Sequence, residues 1–363
     1  MINFFSRPRG FDWVLALSTF LLICFGLVAI YGVTLAGETP NWDLLTKQLV
    51  AFGLGLILFF IFSSIDYQIL KSYARYFYVF GLILMAAVLL FGSTIRGTKG
   101  WFSFGVLNFQ PVELVKIAVI VILAYYFSHR PRPLNQFKYF FVSGLIVLVP
   151  FVLTMLQPDF GSALILFFIW LGLIFLIGPR KYQWLIFIIG GLLTFVVLWD
   201  FVFLDYQKDR LTTFLNPAAD PLGSGYNVTQ SMIAIGSGGW TGMGISFGSQ
   251  SQLKFLPEAQ TDFVFAVIAE ELGLLGVIFL LTIFLFLFYR LGQIAKKCRD
   301  DFALFLILGI MVLLFIQMIM NIGMNLGIAP VTGVTLPLVS YGGSSLIFTL
   351  MLLGIAESVK IRS

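Results

Sequence analysis

Apolar runs close to the length of a bilayer crossing recur from one end of this chain to the other. They lie near residues 12–33, 44–63, 73–92, 111–128, 138–156, 161–178, 182–204, 263–290, 302–325 and 336–358, bounded by polar or Pro/Gly-bearing segments. An α-helix needs about 20 predominantly apolar residues to cross the hydrocarbon core. A membrane β-barrel would instead alternate apolar and polar residues along short strands, and that alternation is missing. Only 11% of the 363 residues are charged, against about 25% in a soluble domain, so water is not the main solvent. The expected fold is an all-α polytopic membrane protein. It has about ten transmembrane helices in a single integral membrane domain, residues 1–363, with a long extracytoplasmic loop, about 205–262, between spans seven and eight. The first span follows Arg7 and Arg9 with no small-x-small cleavage pattern behind it, so it reads as retained.

Lys and Arg fix the expected orientation. Fifteen fall in the terminal segments and alternate loops containing Arg7, Lys71, Arg130, Arg180, Lys296 and Arg362, and six fall in the opposite set. Cytoplasmic loops carry the excess, so both termini are expected in the cytoplasm of a bacterial inner membrane. That bias also accounts for the net charge of +5 without invoking nucleic acid. Cys24 lies in the first span and Cys298 in a basic loop, which gives neither a disulfide framework nor a metal framework.

Two outer segments break the short-loop pattern, residues 93–110 and 205–262. The second is rich in Gly, Ser and Asn and carries Trp240 and Phe247; its composition suggests short helices on or in the membrane surface. The one histidine, His129, sits in a basic cytoplasmic loop. General-base chemistry on the outer face therefore has to use a carboxylate. Asp159, Glu258, Asp262, Glu270 and Glu271 are the candidates there, with Glu113 at the start of span four.

Glu113 and Lys116 share a helix face at i, i+3 and can neutralise each other where a lone charge costs about 2.5–3.5 kcal/mol or more. That pair serves either to orient span four or to present Lys116 to an anionic ligand. Asp262 ends the long outer loop immediately before an apolar helix. There it can act as a helix cap, worth about 0.3–1 kcal/mol, or as a partly desolvated base. Arg96 and Lys99 stand beside Trp101 in a Gly-rich turn, and with Lys208, Arg210 and Lys254 they are outer cations suited to a pyrophosphate or another anionic head group; Trp101 alone reads as an interfacial anchor. Gln317, Asn321 and Asn325 form one polar stripe at i, i+4, i+8, a pattern for interhelical hydrogen bonds. Ser340-Tyr341-Gly342-Gly343 permits close backbone approach of a helix or a ligand.

Several strings occur together in order. They are Gly100-Trp101 with Asn108-Phe109-Gln110-Pro111-Val112-Glu113-Leu114-Val115-Lys116; Gln157-Pro158-Asp159-Phe160-Gly161; and Asn216-Pro217 with Asp220-Pro221-Leu222-Gly223-Ser224-Gly225-Tyr226. Farther on come Ala234-Ile235-Gly236-Ser237-Gly238-Gly239, Phe255-Leu256-Pro257-Glu258 through Thr261-Asp262-Phe263, Glu270-Glu271-Leu272-Gly273 and Pro337-Leu338-Val339-Ser340-Tyr341-Gly342-Gly343. Over nearly its whole length the chain resembles the SEDS family of cell-wall polymerases. The resemblance implies a peptidoglycan glycosyltransferase that polymerises lipid II at the outer face of the cytoplasmic membrane. It further implies a class B penicillin-binding transpeptidase as partner, within an elongation complex of membrane proteins. The family's essential aspartate matches Asp262, and its other important positions match Trp101, Glu113, Lys116 and Asp159. The chain departs at Ala259-Gln260, where relatives often carry a basic residue or histidine.

Joined together, these readings make Asp262 the base and a set drawn from Arg96, Lys99, Lys116 and Arg210 the pyrophosphate holders. Trp101, Glu113, Asp159, Glu258, Thr261 and Ser340 complete the expected substrate site. A divalent cation, magnesium or manganese, is a candidate helper, and the sequence leaves the metal open. The rival functions are a lipid II flippase, a division-type paralogue and a silent scaffold for the transpeptidase.

Overall fold

The computed structural model describes residues 10–36, 40, 42–95, 97–104, 107–131, 134, 136–186, 189–191, 205–215 and 223–363. Among these, nine helices are long and apolar enough to cross a membrane. In chain order they are α1 (Trp13–Thr34), α2 (Trp42–Ser64), α3 (Tyr67–Phe91), α4 (Pro111–Ser128), α5 (Phe137–Leu156), α6 (Phe160–Ile177), α10 (Val264–Lys296), α11 (Asp301–Asn325) and α12 (Gly343–Arg362). Three shorter helices, α7 (Asp205–Leu215), α8 (Ser224–Ser237) and α9 (Ser249–Gln252), occupy the long loop. The expected seventh span, 182–204, falls largely outside the described residues, as does the Asn216-Pro217 to Leu222 string.

Local chemistry sets the helix ends. Asp12, Asp66, Asp159 and Asp300 cap α1, α3, α6 and α11, each carboxylate accepting a backbone N–H of the first turn at 2.9–3.2 Å. A cap of this kind is worth about 0.5–2 kcal/mol. The Asp66 cap explains why α3 begins at Tyr67, six residues before the expected start. α4 opens on Pro111, whose missing N–H is harmless at the first helical position. The last span also begins later than expected, at Gly343. Residues 331–342 are apolar and mostly buried, yet Pro337 lacks a donor and Leu338 has φ 67°, so an extended loop fills the bundle there.

α4 is the centre of the bundle and is buried along almost its whole length. It packs against α3, α5, α6, α11 and α12, while α2 lies along α12 and α1 along α10. Between α3 and α4 the chain forms a feature that the all-α expectation missed, a three-stranded antiparallel sheet of β1 (Ser93–Ile95), β2 (Thr98–Phe104) and β3 (Leu107–Phe109). Thr94 pairs with Lys99 and Phe102 with Phe109. The Phe102 and Phe109 rings stack at 6.4 Å, and Phe109 meets Phe348 of α12 at 5.7 Å, which fastens the sheet to the bundle.

α10 is broken at Gly273, whose φ of 65° and ψ of −166° are open to glycine alone at low cost. The carbonyls and amides freed by the break are taken up by the segment 239–244. Met243 and Gly244 N–H donate to the Glu270 and Glu271 carbonyls at 2.9 and 3.0 Å, and Leu274 and Leu275 N–H donate to the Gly239 and Trp240 carbonyls. Irregular backbone inside a membrane protein is tolerable only where such partners exist. The Glu270 carboxylate accepts from Gln250 and Ser251 N–H, and Glu271 accepts from Ser246 N–H, so both buried acids fasten this loop.

Candidate active site

Asp262 is half-buried in the turn that leads into α10. Its own N–H donates to the Glu258 carbonyl at 3.1 Å. Its carbonyl receives two side-chain amides of α11, Asn321 Nδ2 at 2.9 Å and Asn325 Nδ2 at 3.0 Å. The N-cap of α10 falls on Phe263, one residue beyond, so the capping position expected for Asp262 is displaced. The Asp262 carboxyl faces Gly333, where a Cβ would stand 3.6 Å from Oδ2. That distance is ordinary contact; what favours glycine here is the backbone, with φ 70°.

The rest of the turn is tied to the loop before α12. Thr261 Oγ1 donates to Glu258 Oε2 at 3.0 Å. Ser340 Oγ donates to the Thr261 carbonyl at 2.6 Å and accepts from Leu336 N–H, and Tyr341 N–H donates to the Gln260 carbonyl. Gln48 of α2 grips the same loop from behind, donating to the Ser340 carbonyl and accepting from Gly342 N–H. Ser340, expected to touch substrate, is 5% exposed and uses its hydroxyl on backbone groups.

Asp159 comes to the same loop from the other side. Its Oδ1 caps α6, its Oδ2 accepts from Gln110 Nε2 at 3.1 Å, and the adjacent Gly161 sits directly against the Thr332 carbonyl. Gln110 N–H in turn donates to Ser344 Oγ, which donates to the Asn108 carbonyl. The segment 331–344 therefore joins the Asp262 turn, the Asp159 turn and the end of the sheet. One turn into α4, Lys116 donates to Glu113 Oε1 at 2.8 Å, with the two side chains 3% and 11% exposed, as the i, i+3 spacing predicts. Lys99 and Trp101 lie half-buried on β2, and Arg210 is half-buried on α7, lining a depression with Thr213, Val228 and Pro330. Arg96 lies outside the described residues.

Three participants escaped the sequence reading. The polar stripe announced Asn321 and Asn325 without naming Asp262 as the partner, and Gly333 carried no signal in the sequence; its φ of 70° appears only in the structure. Among the described residues there is no cluster of three or more His, Cys, Asp or Glu side chains that could hold a metal ion. No catalytic step is routed through a metal.

Fold and site define a multi-pass membrane protein with a carboxylate-centred site at one end of its helix bundle. Residues 12–363 match the family described as FtsW, RodA and SpoVE cell cycle proteins, and the chain belongs to that family. It is 37% identical over 346 residues to the peptidoglycan glycosyltransferase MrdB of Escherichia coli K12, covering 94% of this chain and 92% of that one. It is 36% identical to the stage V sporulation protein E of Bacillus subtilis, with 98% of each covered. Among solved structures, a chain of a peptidoglycan synthase complex that coordinates polymerization and crosslinking superposes with a TM-score of 0.81 at 34% identity, covering 96% and 97%. The rod shape determining protein RodA of Thermus thermophilus gives 0.73 at 32% identity, covering 98% of each.

Proposed function

We propose that this chain is a peptidoglycan glycosyltransferase that polymerises lipid II into glycan strands at the outer face of the cytoplasmic membrane during cell elongation. The observation that carries the mechanism is a carboxylate, Asp262, held through its backbone beside a bare glycine at the helix mouth. The Asp262 carboxylate takes the proton of the acceptor sugar's 4-hydroxyl as that oxygen bonds to the donor's anomeric carbon. The bond from that carbon to the lipid pyrophosphate breaks, and the pyrophosphate leaves with the bonding pair. Arg96, Lys99, Lys116 and Arg210 are the cations assigned to it, Lys116 sharing its charge with Glu113. A divalent cation, magnesium or manganese, would supply further positive charge against the leaving pyrophosphate.

The two ends of the bundle take sides accordingly. Gly10 and Asp12 lie against α12 near its C-terminus, and the Lys/Arg excess assigns that face to the cytoplasm. The site then opens to the periplasm, where a class B penicillin-binding transpeptidase and the elongation complex cross-link the product.

The test is polymerisation of radiolabelled lipid II in detergent by the purified chain with its transpeptidase, with and without chelator. Glycan strands are expected, and a flippase would make none. Positioned general-base catalysis contributes roughly 10²–10⁴-fold, so Asp262→Asn should lose about that much while remaining folded. A folded Asp262→Asn protein that still polymerises would overturn the assignment.

A further inference from the structure

The first turn of α10 is built unusually. In an uninterrupted helix the carbonyl of residue 262 would accept from the N–H of residue 266. Here the carboxamide of Asn325 stands between the two: Nδ2 donates to the Asp262 carbonyl at 3.0 Å, and Oδ1 accepts from Ala266 N–H at 3.2 Å. Phe263 is the N-cap of α10, so Ala266 N–H is one of the donors that a helix start leaves free, and the amide ties it to the carbonyl of the residue just before the cap. Its orientation is fixed, because Nδ2 also donates to the Asn321 carbonyl and Oδ1 also accepts from Ser231 Oγ of α8.

Asn321, one turn back along α11, completes the arrangement. Its Nδ2 donates to the Asp262 carbonyl at 2.9 Å and to the Val334 carbonyl at 2.8 Å. Both partners can only accept, so the amide cannot be flipped. Its Oδ1 is then left buried with no hydrogen-bond partner, in a side chain that is 0% exposed. A stranded acceptor is unfavourable, and interhelical packing alone would not select one. What this orientation provides is a link between the backbone of Asp262 and that of Val334, next to the Gly333 that faces the Asp262 carboxyl.

We infer that Asn321 and Asn325 are positioning residues for Asp262. They hold its backbone out of the regular helix and lock it to the floor on which its carboxyl rests. The inference rests on the assignment of Asp262 as the base. A displacement of about 1 Å in a catalytic group can lower a rate on the order of 10²-fold. Loss of the clamp should therefore act on kcat and leave substrate capture alone.

The experiment compares Asp262→Ala, Asn325→Ala, Asn321→Ala and the control Gln317→Leu, a buried position farther along the same stripe. Each is purified with the transpeptidase and assayed for lipid II polymerisation and for thermal unfolding in detergent. Both Asn variants should fall about 30- to 100-fold in kcat, with KM within about threefold, as a misplaced base predicts. In an Asp262→Ala background, Asn325→Ala should remove nothing further. The inference is overturned if Asn325→Ala and Asn321→Ala keep kcat within twofold of the parent while Asp262→Ala is inactive. It is equally overturned if Gln317→Leu loses as much kcat at a matched unfolding midpoint, which would mark a packing effect. Activity in folded Asp262→Ala would strike the underlying assignment instead.

Discussion

The two ends of this bundle are held together by different chemistry. At the end where Gly10 and Asp12 lie against the last turns of α12, charges do the holding. Arg290 of α10 forms a two-pronged ion pair with Asp12, whose N–H donates to the buried Glu357 of α12, and Lys71 pairs with Asp300 between α3 and α11. Arg362 reaches the Ser63 and Ser64 carbonyls and Asp66. At the Asp262 end, neutral amides and hydroxyls bind the loops together with carboxylates that accept from uncharged donors. Asn321, Asn325, Gln48 and the hydroxyls of Ser340 and Ser344 address backbone carbonyls and amides, Gln110 and Thr261 donate to the carboxylates of Asp159 and Glu258, and the Glu113–Lys116 pair is set one turn into α4. A polymerase that receives an anionic pyrophosphate profits from such a division. Amides that grip the backbone of Asp262 fix where its carboxylate stands without themselves adding charge beside it.

The largest expected effect that could break this contrast is at Asp262 itself, where Asn should remove roughly 10²–10⁴-fold of polymerisation without moving the unfolding midpoint. Lys116 comes next. Lys116→Met strands Glu113 in a nearly dry site, and breaking a buried pair from one side costs about 3–5 kcal/mol. The double change Glu113→Gln/Lys116→Met should recover most of that stability in detergent unfolding. If Lys116 also meets the pyrophosphate, the double variant stays inactive although stable. A stable and active double variant would reduce the pair to a scaffold, like the ion pairs of the opposite end.

The same contrast explains what was legible in the sequence. Spans are long apolar runs, so nine of the expected ten coincide with described helices, and the tenth expectation falls largely on residues outside the description. Glu113 and Lys116 were legible because helical spacing alone brings them together. What was hidden is irregular backbone with apolar side chains. Residues 336–339 are an apolar, buried run that reads like the start of a span, the break at Gly273 has no proline to announce it, β1 and β3 have three residues each, and the seven residues of β2 do not alternate cleanly. The clamp on Asp262 was half legible. Spacing showed that Asn321 and Asn325 share a face, but a partner 59 residues away that is a carbonyl rather than a side chain leaves no mark on composition.

The terminal end should answer with stability and leave the rate unchanged. Arg290→Met leaves Asp12, which is 2% exposed, beside the fully buried Glu357. Arg290 is itself partly exposed, so the loss should be near about 2 kcal/mol, below the range for a fully buried pair. The unfolding midpoint should fall, and kcat per folded molecule should stay within twofold at a temperature where the variant is folded. A large fall in kcat would show that the ion pairs communicate with the Asp262 end, contrary to the division of labour drawn above.

The smallest effect is a labelling rate. Cys298 lies between α10 and α11 at the charged end, its Sγ donating to the Ile294 carbonyl at 3.4 Å. Burial, with a smaller contribution from the Asp300 carboxylate, pushes its thiol up to about 11. An ordinary thiol ionises near 8.5, so at pH 8 the thiolate of Cys298 is scarcer by roughly 200-fold. Its greater nucleophilicity returns about tenfold of that, leaving maleimide labelling on the order of twentyfold slower than for an exposed cysteine. In a Cys24→Ser background the rate should climb through pH 9 and 10, where an ordinary thiol has levelled off. The sign for stability follows: the neutral thiol is favoured in the fold, so its contribution is complete below about 8.5 and is lost as pH rises toward 11. Ordinary labelling at pH 8 would mean that this end opens in solution, and the charged network would then be a surface feature instead of the lock that the comparison requires.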